Sequence, residues 1–225
     1  MQELYTPQAA ATSSVEINKV LRNTYLLLSM TLLFSALAAG VAMAVGMGRG
    51  TGVIMSLVAM ALIWFVLPRT ANSSTGLLVV FAFTGLIGAS LGPILTYYLS
   101  MSNGSSIVMQ ALGGTAITFL GLSGYTLVSR KDFSFLRGFV VMGMIVMIVA
   151  MLGLLGASFF GVDVSLLSLA FSAGVILLMS ALILFQTSAI INGGETNYIM
   201  ATTSLYLSII NIFTSLLHLL GASNE

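Results

Sequence analysis

The chain has no cysteine, one histidine, three prolines and very little charge: seven Lys and Arg against six Asp and Glu in 225 residues. Each scarcity excludes something. Without cysteine there is no disulfide, no thiolate metal site and no cysteine nucleophile. One histidine excludes multi-histidine metal or haem sites. Charged residues make up 6% of the chain, where a soluble domain carries about 25%. Too few ionisable side chains remain to build a soluble surface. A net charge of +1 gives no electrostatic reason to expect nucleic acid as a partner.

What is present is apolar sequence: 58% of the residues are hydrophobic. They fall into runs of the length that crosses a bilayer, roughly 20 residues each. Runs and breakers give seven spans, at about 25–45, 53–67, 76–99, 107–128, 139–160, 165–191 and 198–220. The expected fold is an all-α membrane protein of seven transmembrane helices. The spans form one domain over 24–221, between an N-terminal tail, 1–23, and a short C-terminus, 222–225. The tail is rich in Ala, Ser and Thr and is expected to be mobile to about residue 14. No cleavable signal peptide is evident, because the first apolar run is itself long enough to span. Short links make neighbouring spans antiparallel.

Basic residues set the expected direction. Lys19, Arg22, Arg69, Arg130, Lys131 and Arg137 share one side, and Arg49 alone lies on the other. The expectation is an N-terminus in the cytoplasm and a C-terminus outside.

Polar residues inside the spans are the candidate functional groups, since each is costly in lipid without a partner. In the last span Ser204, Ser208, Asn211, Ser215 and His218 are spaced 4, 3, 4 and 3. That places all five on one helical face, so this helix is expected to be surrounded by the others. Ser172, Met179 and Gln186 repeat every seven residues on the sixth span. The stripe has two readings: a hydrated polar cavity, or small polar groups that tie helices together. Thr84, Gly88 and Gly92 form a small-residue face for close helix approach, as do Gly114, Thr118 and Gly121. Pro93 is expected to kink the third span, with or without opening a cavity.

No enzyme motif is found. Metalloprotease, nucleophile-elbow and phosphate-loop patterns are missing. Gly193-Gly194 reads as a helix C-cap and turn. Ser215 and His218 are helical neighbours, but no third group or oxyanion donor accompanies them. No cofactor and no metal site are expected.

The C-terminal hairpin resembles the Bax inhibitor-1 family of seven-span membrane proteins. The residues that carry the resemblance are Leu182-Ile183-Leu184-Phe185-Gln186, the Gly193-Gly194 link, and Ser204-Leu205-Tyr206-Leu207-Ser208, followed by Asn211 and Phe213. Supporting matches are Val20-Leu21-Arg22-Asn23-Thr24-Tyr25, Phe83-Thr84-Gly85-Leu86-Ile87-Gly88 and Ala111-Leu112-Gly113-Gly114-Thr115. The resemblance implies a fold with the seventh helix at its centre. It looks strongest to bacterial inner-membrane members, and so implies a partner, the membrane AAA protease FtsH with its associated membrane regulators. Members of that group bind and modulate the protease and are also its substrates. In that reading the first residues, Met1, Gln2, Glu3, Leu4 and Tyr5, are the handle by which the protease engages.

Other members are proposed to leak calcium through a pH-sensitive aspartate pair with a basic residue nearby. The positions here that match the pair are Gln186 and Ser208, and Arg69 is the candidate base. Neither position ionises, so the two cannot share a proton as a carboxylate pair does. The expectation is a modulator of a protease, with a cation leak as the alternative.

Overall fold

A computed structural model describes residues 7–223, with side chains from residue 15 onward. Seven long helices account for almost all of it, and there is no strand among the described residues. They are α1 (Pro7–Ala44), α2 (Arg49–Thr70), α3 (Ser74–Leu99), α4 (Gly104–Ser129), α5 (Leu136–Phe159), α6 (Ser165–Ile191) and α7 (Tyr198–Ala222). Each is long and apolar enough to cross a membrane. The seven spans read from hydropathy correspond to them one for one.

Two boundaries depart from the sequence reading. Helix α1 starts at Pro7 and so takes in residues 7–14 of the tail. Pro7 suits the first helical turn, where an N–H would have no acceptor. Ala9, Ala10 and Ala11 then have the highest helix propensity of any residue type. The proposed handle, Met1 to Tyr5, lies outside the described residues.

The second departure is in α2, which is expected to be short but runs over 22 residues. It contains one π-helical turn, Leu62–Val66, directly before Pro68. The Leu67 N–H reaches back to the Leu62 carbonyl, five residues away. Pro68 has no N–H and its ring crowds the preceding turn, so the ladder widens there. Pro93, by contrast, sits inside the continuous helix α3. Its ring abuts α2 at Gly52, where an added Cβ would lie 3.3 Å from Pro93 Cγ.

The bundle is built around α7, which packs against α1, α3, α4 and α6. The main core draws Leu28 from α1, Phe83 from α3, Phe119 from α4, Ile183 from α6, and Leu205, Tyr206 and Ile212 from α7. At the periphery, α5 packs only on α6, and 6% of its most apolar stretch is buried against 44% for α7. Its remaining surface is Leu, Ile, Val, Met and Phe, which suits lipid.

The closest helix approach is between α1 and α3, on the small-residue face. A Cβ built on Gly88 would lie 2.2 Å from the Ser35 carbonyl oxygen, and one on Gly92 would lie 2.6 Å from Ala42 Cβ. The second small-residue face is not a seam of this kind. Gly114 meets only the Leu216 side chain, and Gly121 meets nothing within 4 Å.

Links close each end. Asp163 accepts a hydrogen bond from the Ser165 N–H at the start of α6, and that bond holds its carboxyl below the ordinary carboxylate range. The left-handed Gly193 ends α6. Asn197 caps α7 by accepting from Ile199 N and Met200 N, while its side-chain amide donates to the Ala71 carbonyl and to Asn72 Oδ1.

Gly88→Ala is expected to destabilise the bundle by roughly 1–3 kcal/mol, the usual cost of overpacking. Gly40→Ala on α1, where an added Cβ meets nothing within 4 Å, is expected to change stability little. Thermal unfolding of the two purified variants in detergent checks the contrast.

Candidate functional site

The end of the bundle that carries most of the Lys and Arg is called the basic end. There the α4–α5 link, the last turns of α6 and the first turns of α7 enclose a partly open cavity of about 700 Å³. Serine chemistry builds its wall. Ser188 Oγ on α6 accepts from the Phe133 N–H and from Asn192 Nδ2, and donates to the Lys131 carbonyl. This one buried hydroxyl therefore holds the α4–α5 link down on α6. Asp132 in turn accepts from the Ser134 N–H and hydroxyl, which fixes the entry to α5. Asp132, Arg137 and Glu195 bring charges of both signs to the rim, and Gln186 and Ser204 line the interior.

Gln186 Oε1 is buried and meets no hydrogen-bond donor of the protein. A buried amide oxygen left unpaired costs about 1–3 kcal/mol. Gln186 and Ser204 share the cavity, whereas Ser208 lies one turn deeper, is fully buried, and donates back to the Ser204 carbonyl. The residue of α7 that meets the level of Gln186 is thus Ser204.

The α7 stripe is divided, although its spacing is regular. Ser215 is buried. His218 Nδ1 lies 2.9 Å from Ser172 Oγ and ties the far end of α7 to α6. Asn211 is exposed at the middle of the helix and donates to its own Leu207 carbonyl. Asn211 therefore does not line the cavity, and neither do Ser215 or His218. The buried face of α7 therefore includes Ser208 and Ser215 but not Asn211 between them. Arg69 is exposed at the end of α2, bonded to the Phe65 carbonyl of its own helix. The arginine that lines the cavity is Arg137.

Two hydrogen-bond chains that sequence reasoning did not single out tie the helices together. Tyr206 is fully buried; its hydroxyl lies 2.6 Å from Ser35 Oγ and donates to the Thr84 carbonyl at 3.3 Å. One side chain of α7 thus bonds to α1 and α3 together. Near the basic end the Tyr25 hydroxyl meets Ser123 Oγ, which in turn lies 3.1 Å from Thr187 Oγ1. That chain joins α1, α4 and α6. Tyr206 could have been noticed as a tyrosine in mid-span, since a buried hydroxyl needs a partner.

With this geometry in view, comparison with known proteins decides the family. A family model, Inhibitor of apoptosis-promoting Bax1, matches residues 17–225. The chain belongs to this family, the Bax inhibitor-1 proteins. It is similar to an uncharacterised membrane protein of Vibrio cholerae, 50% identical over 224 residues that cover 98% of each chain. It is also similar to the protein of Escherichia coli K12 called Modulator of FtsH protease YccA, 49% identical over 225 residues and the whole of both chains. An uncharacterised protein of Pseudomonas aeruginosa is 46% identical over 220 residues. None of these three bears an enzyme's name. The cavity of this Bax inhibitor-1 protein carries charges of both signs, Asp132 and Glu195 with Arg137.

Gln186→Leu removes an amide oxygen without a protein donor and keeps most of the side chain's bulk. Stability is expected to stay the same or rise by up to about 1 kcal/mol. A fall of more than about 2 kcal/mol in detergent unfolding would show that the amide has a partner worth keeping.

Proposed function

We propose that this protein binds and modulates the membrane protease FtsH, as an inner-membrane protein with its N-terminus in the cytoplasm and its C-terminus outside. One observation carries the reading: 49% identity over the whole length of both chains to the E. coli protein whose name states that role. Identity at that level over the full length supports a shared partner as well as a shared fold.

The charge distribution supports the direction. Lys19, Arg22, Arg69, Arg130, Lys131 and Arg137 all belong to the basic end and Arg49 to the other, the asymmetry expected of a cytoplasmic face. The basic end also holds the mixed-charge cavity and the start of the chain. A cytoplasmic partner would meet those features first. In this reading Arg137, Asp132 and Glu195 belong to the contact region, and residues 1–5 are the segment that the protease engages.

The cation-leak alternative has less support. Gln186 and Ser208 have no proton to lose in the physiological range, and Ser208 Oγ already donates to Ser204. Hard cations favour carboxylate oxygens, and the carboxylates near the cavity, Asp132 and Glu195, lie at its rim in the links.

The protein is expected to co-purify with FtsH from membranes and to slow its degradation of a membrane substrate in proteoliposomes. Failure of both would overturn the proposal. Removing residues 2–14 is expected to lengthen the protein's lifetime severalfold in cells with active FtsH while co-purification persists. Unchanged turnover would remove the handle from the proposal and leave the binding intact. Calcium flux into the same vesicles, measured with a trapped dye, is expected to match empty vesicles.

A further inference from the structure

A second cavity, at the other end of the bundle, has a different chemistry. Where Tyr25 packs on Phe119 and bonds to Ser123, α1 and α4 are held together near the basic end. Beyond that point they separate. The gap is a groove of about 560 Å³ between Ala36 and Gly40 on one wall and Leu112 and Ala116 on the other, with Leu91 and Phe213 beneath. Its lips are exposed and continue the lipid-facing surfaces of α1 and α4: Gly40, Leu112 and Ala116 are all exposed.

We propose that this groove binds one acyl chain of a membrane lipid. Polarity, length and width each bear on the occupant. The lining has no charge, and its hydroxyls are already engaged. Thr115 donates to the Ala111 carbonyl, and Ser35 is bonded to Tyr206. The occupant therefore needs no polar group along the groove.

The lining runs along α1 from Leu32 to Met43, one residue before the helix ends. At 1.5 Å per residue that is about 16 Å. One leaflet of hydrocarbon is about half of a 30 Å core. The groove thus has the length of one leaflet and lies within one leaflet. A transmembrane helix of a partner would cross both.

A helix about 10 Å across would fill roughly 1,200 Å³ over that length, about twice the groove. A second copy of the chain is disfavoured by area, because stable protein interfaces bury about 800 Å² on each side and a slot for one side chain's width offers far less. An acyl chain fits the width, needs no polar contact and is already at the mouth.

The test uses the full chain in vesicles of phosphatidylethanolamine and phosphatidylglycerol. A trace of phosphatidylglycerol carries a diazirine midway along one chain. After illumination, labelled peptides are mapped by mass spectrometry. Residues 36–43 and 112–116 are expected to be labelled severalfold more than the lipid-facing stretch 145–152 of α5, a preference set by packing against the groove walls. Gly40→Phe and Ala116→Phe each fill the groove and are expected to abolish the excess with α5 labelling unchanged. An added Cβ at Gly40 meets nothing within 4 Å, so the larger side chain has room.

In the unaltered protein, excess unlabelled lipid is expected to saturate the groove, so that its labelling falls faster than that of α5. Equal labelling of the groove and α5 would overturn the proposal. So would an excess that survives both substitutions, or parallel dilution of the two regions. Disulfide formation between copies through Gly40→Cys, with the groove protected from lipid label, would assign the groove to a second copy and overturn it equally.

Discussion

The fold depends on the contact of the α1 and α3 backbones at Gly88, and on the tyrosine that locks it. At that crossing no side chain separates the two helices. The close approach brings the Ser35 hydroxyl and the Thr84 carbonyl to the same buried point, where Tyr206 meets both. In lipid there is no hydrophobic reason for one apolar helix to prefer another, so packing and satisfied polar groups must do the selecting. A tyrosine that fills space with its ring and bonds to two helices with its hydroxyl does both. Phe83 stacks edge-on against that ring, 5.6 Å between centroids, which extends the locked region along α3. Once α1 and α3 are fixed on α7, the remaining helices are placed by their own contacts with α7 and with each other.

The ends of the bundle follow a second rule, that links too short to fold alone must be tied to helix termini. Ser188 and Asn197 do this at the basic end. Each is a small polar residue that serves several backbone groups at once, and between them they position the α4–α5 and α2–α3 links against α6 and α7. The cavity at that end lies between the α4–α5 link, which Ser188 anchors on α6, and the first turns of α7, with charged side chains at the rim. Its polarity comes from both sources: Asp132, Ser134 and Glu195 from the links, and Arg137, Gln186, Ser188 and Ser204 from the helices.

How far the sequence could be read follows from which forces are local. Hydropathy is local, and all seven spans were legible from it. The central place of α7 was legible because polar groups in a span need a protein environment, and Thr84, Gly88 and Gly92 were legible as a close-contact face because small residues at spacing four allow little else. Other features needed the third dimension. Spacing placed Asn211 on one face with Ser208 and Ser215, but how wide a face of α7 the neighbours cover is set by packing. Gly114 and Gly121 have the same local pattern as Gly88 and Gly92 without a helix close against them. Arg69 and Arg137 are equally basic in sequence, and only packing puts one on the cavity and the other outside it. Residues 7–14 belong to α1, where Pro7 and the alanines that follow favour a helix although the tail's overall composition does not.

The separation of the two cavities has a consequence for how this family member can work. The basic-end cavity ends at Gln186 and Ser204, and below it lies Ser208, fully buried and bonded within its own helix. The apolar groove starts beside the Tyr206 lock, at Leu32 and Ser35, runs to Met43 near the other end of α1, and is lined from α1, α3, α4 and α7. Between them stands a buried layer in which Tyr206, Phe83 and Leu205 are all exposed by 1% or less. A continuous polar path from end to end would have to pass through that layer, and no side chain there offers a charge to carry an ion through it. Two independent recesses, one polar and facing a link surface, the other apolar and facing lipid, suit a protein that is recognised at its ends and sides better than one that conducts along its axis.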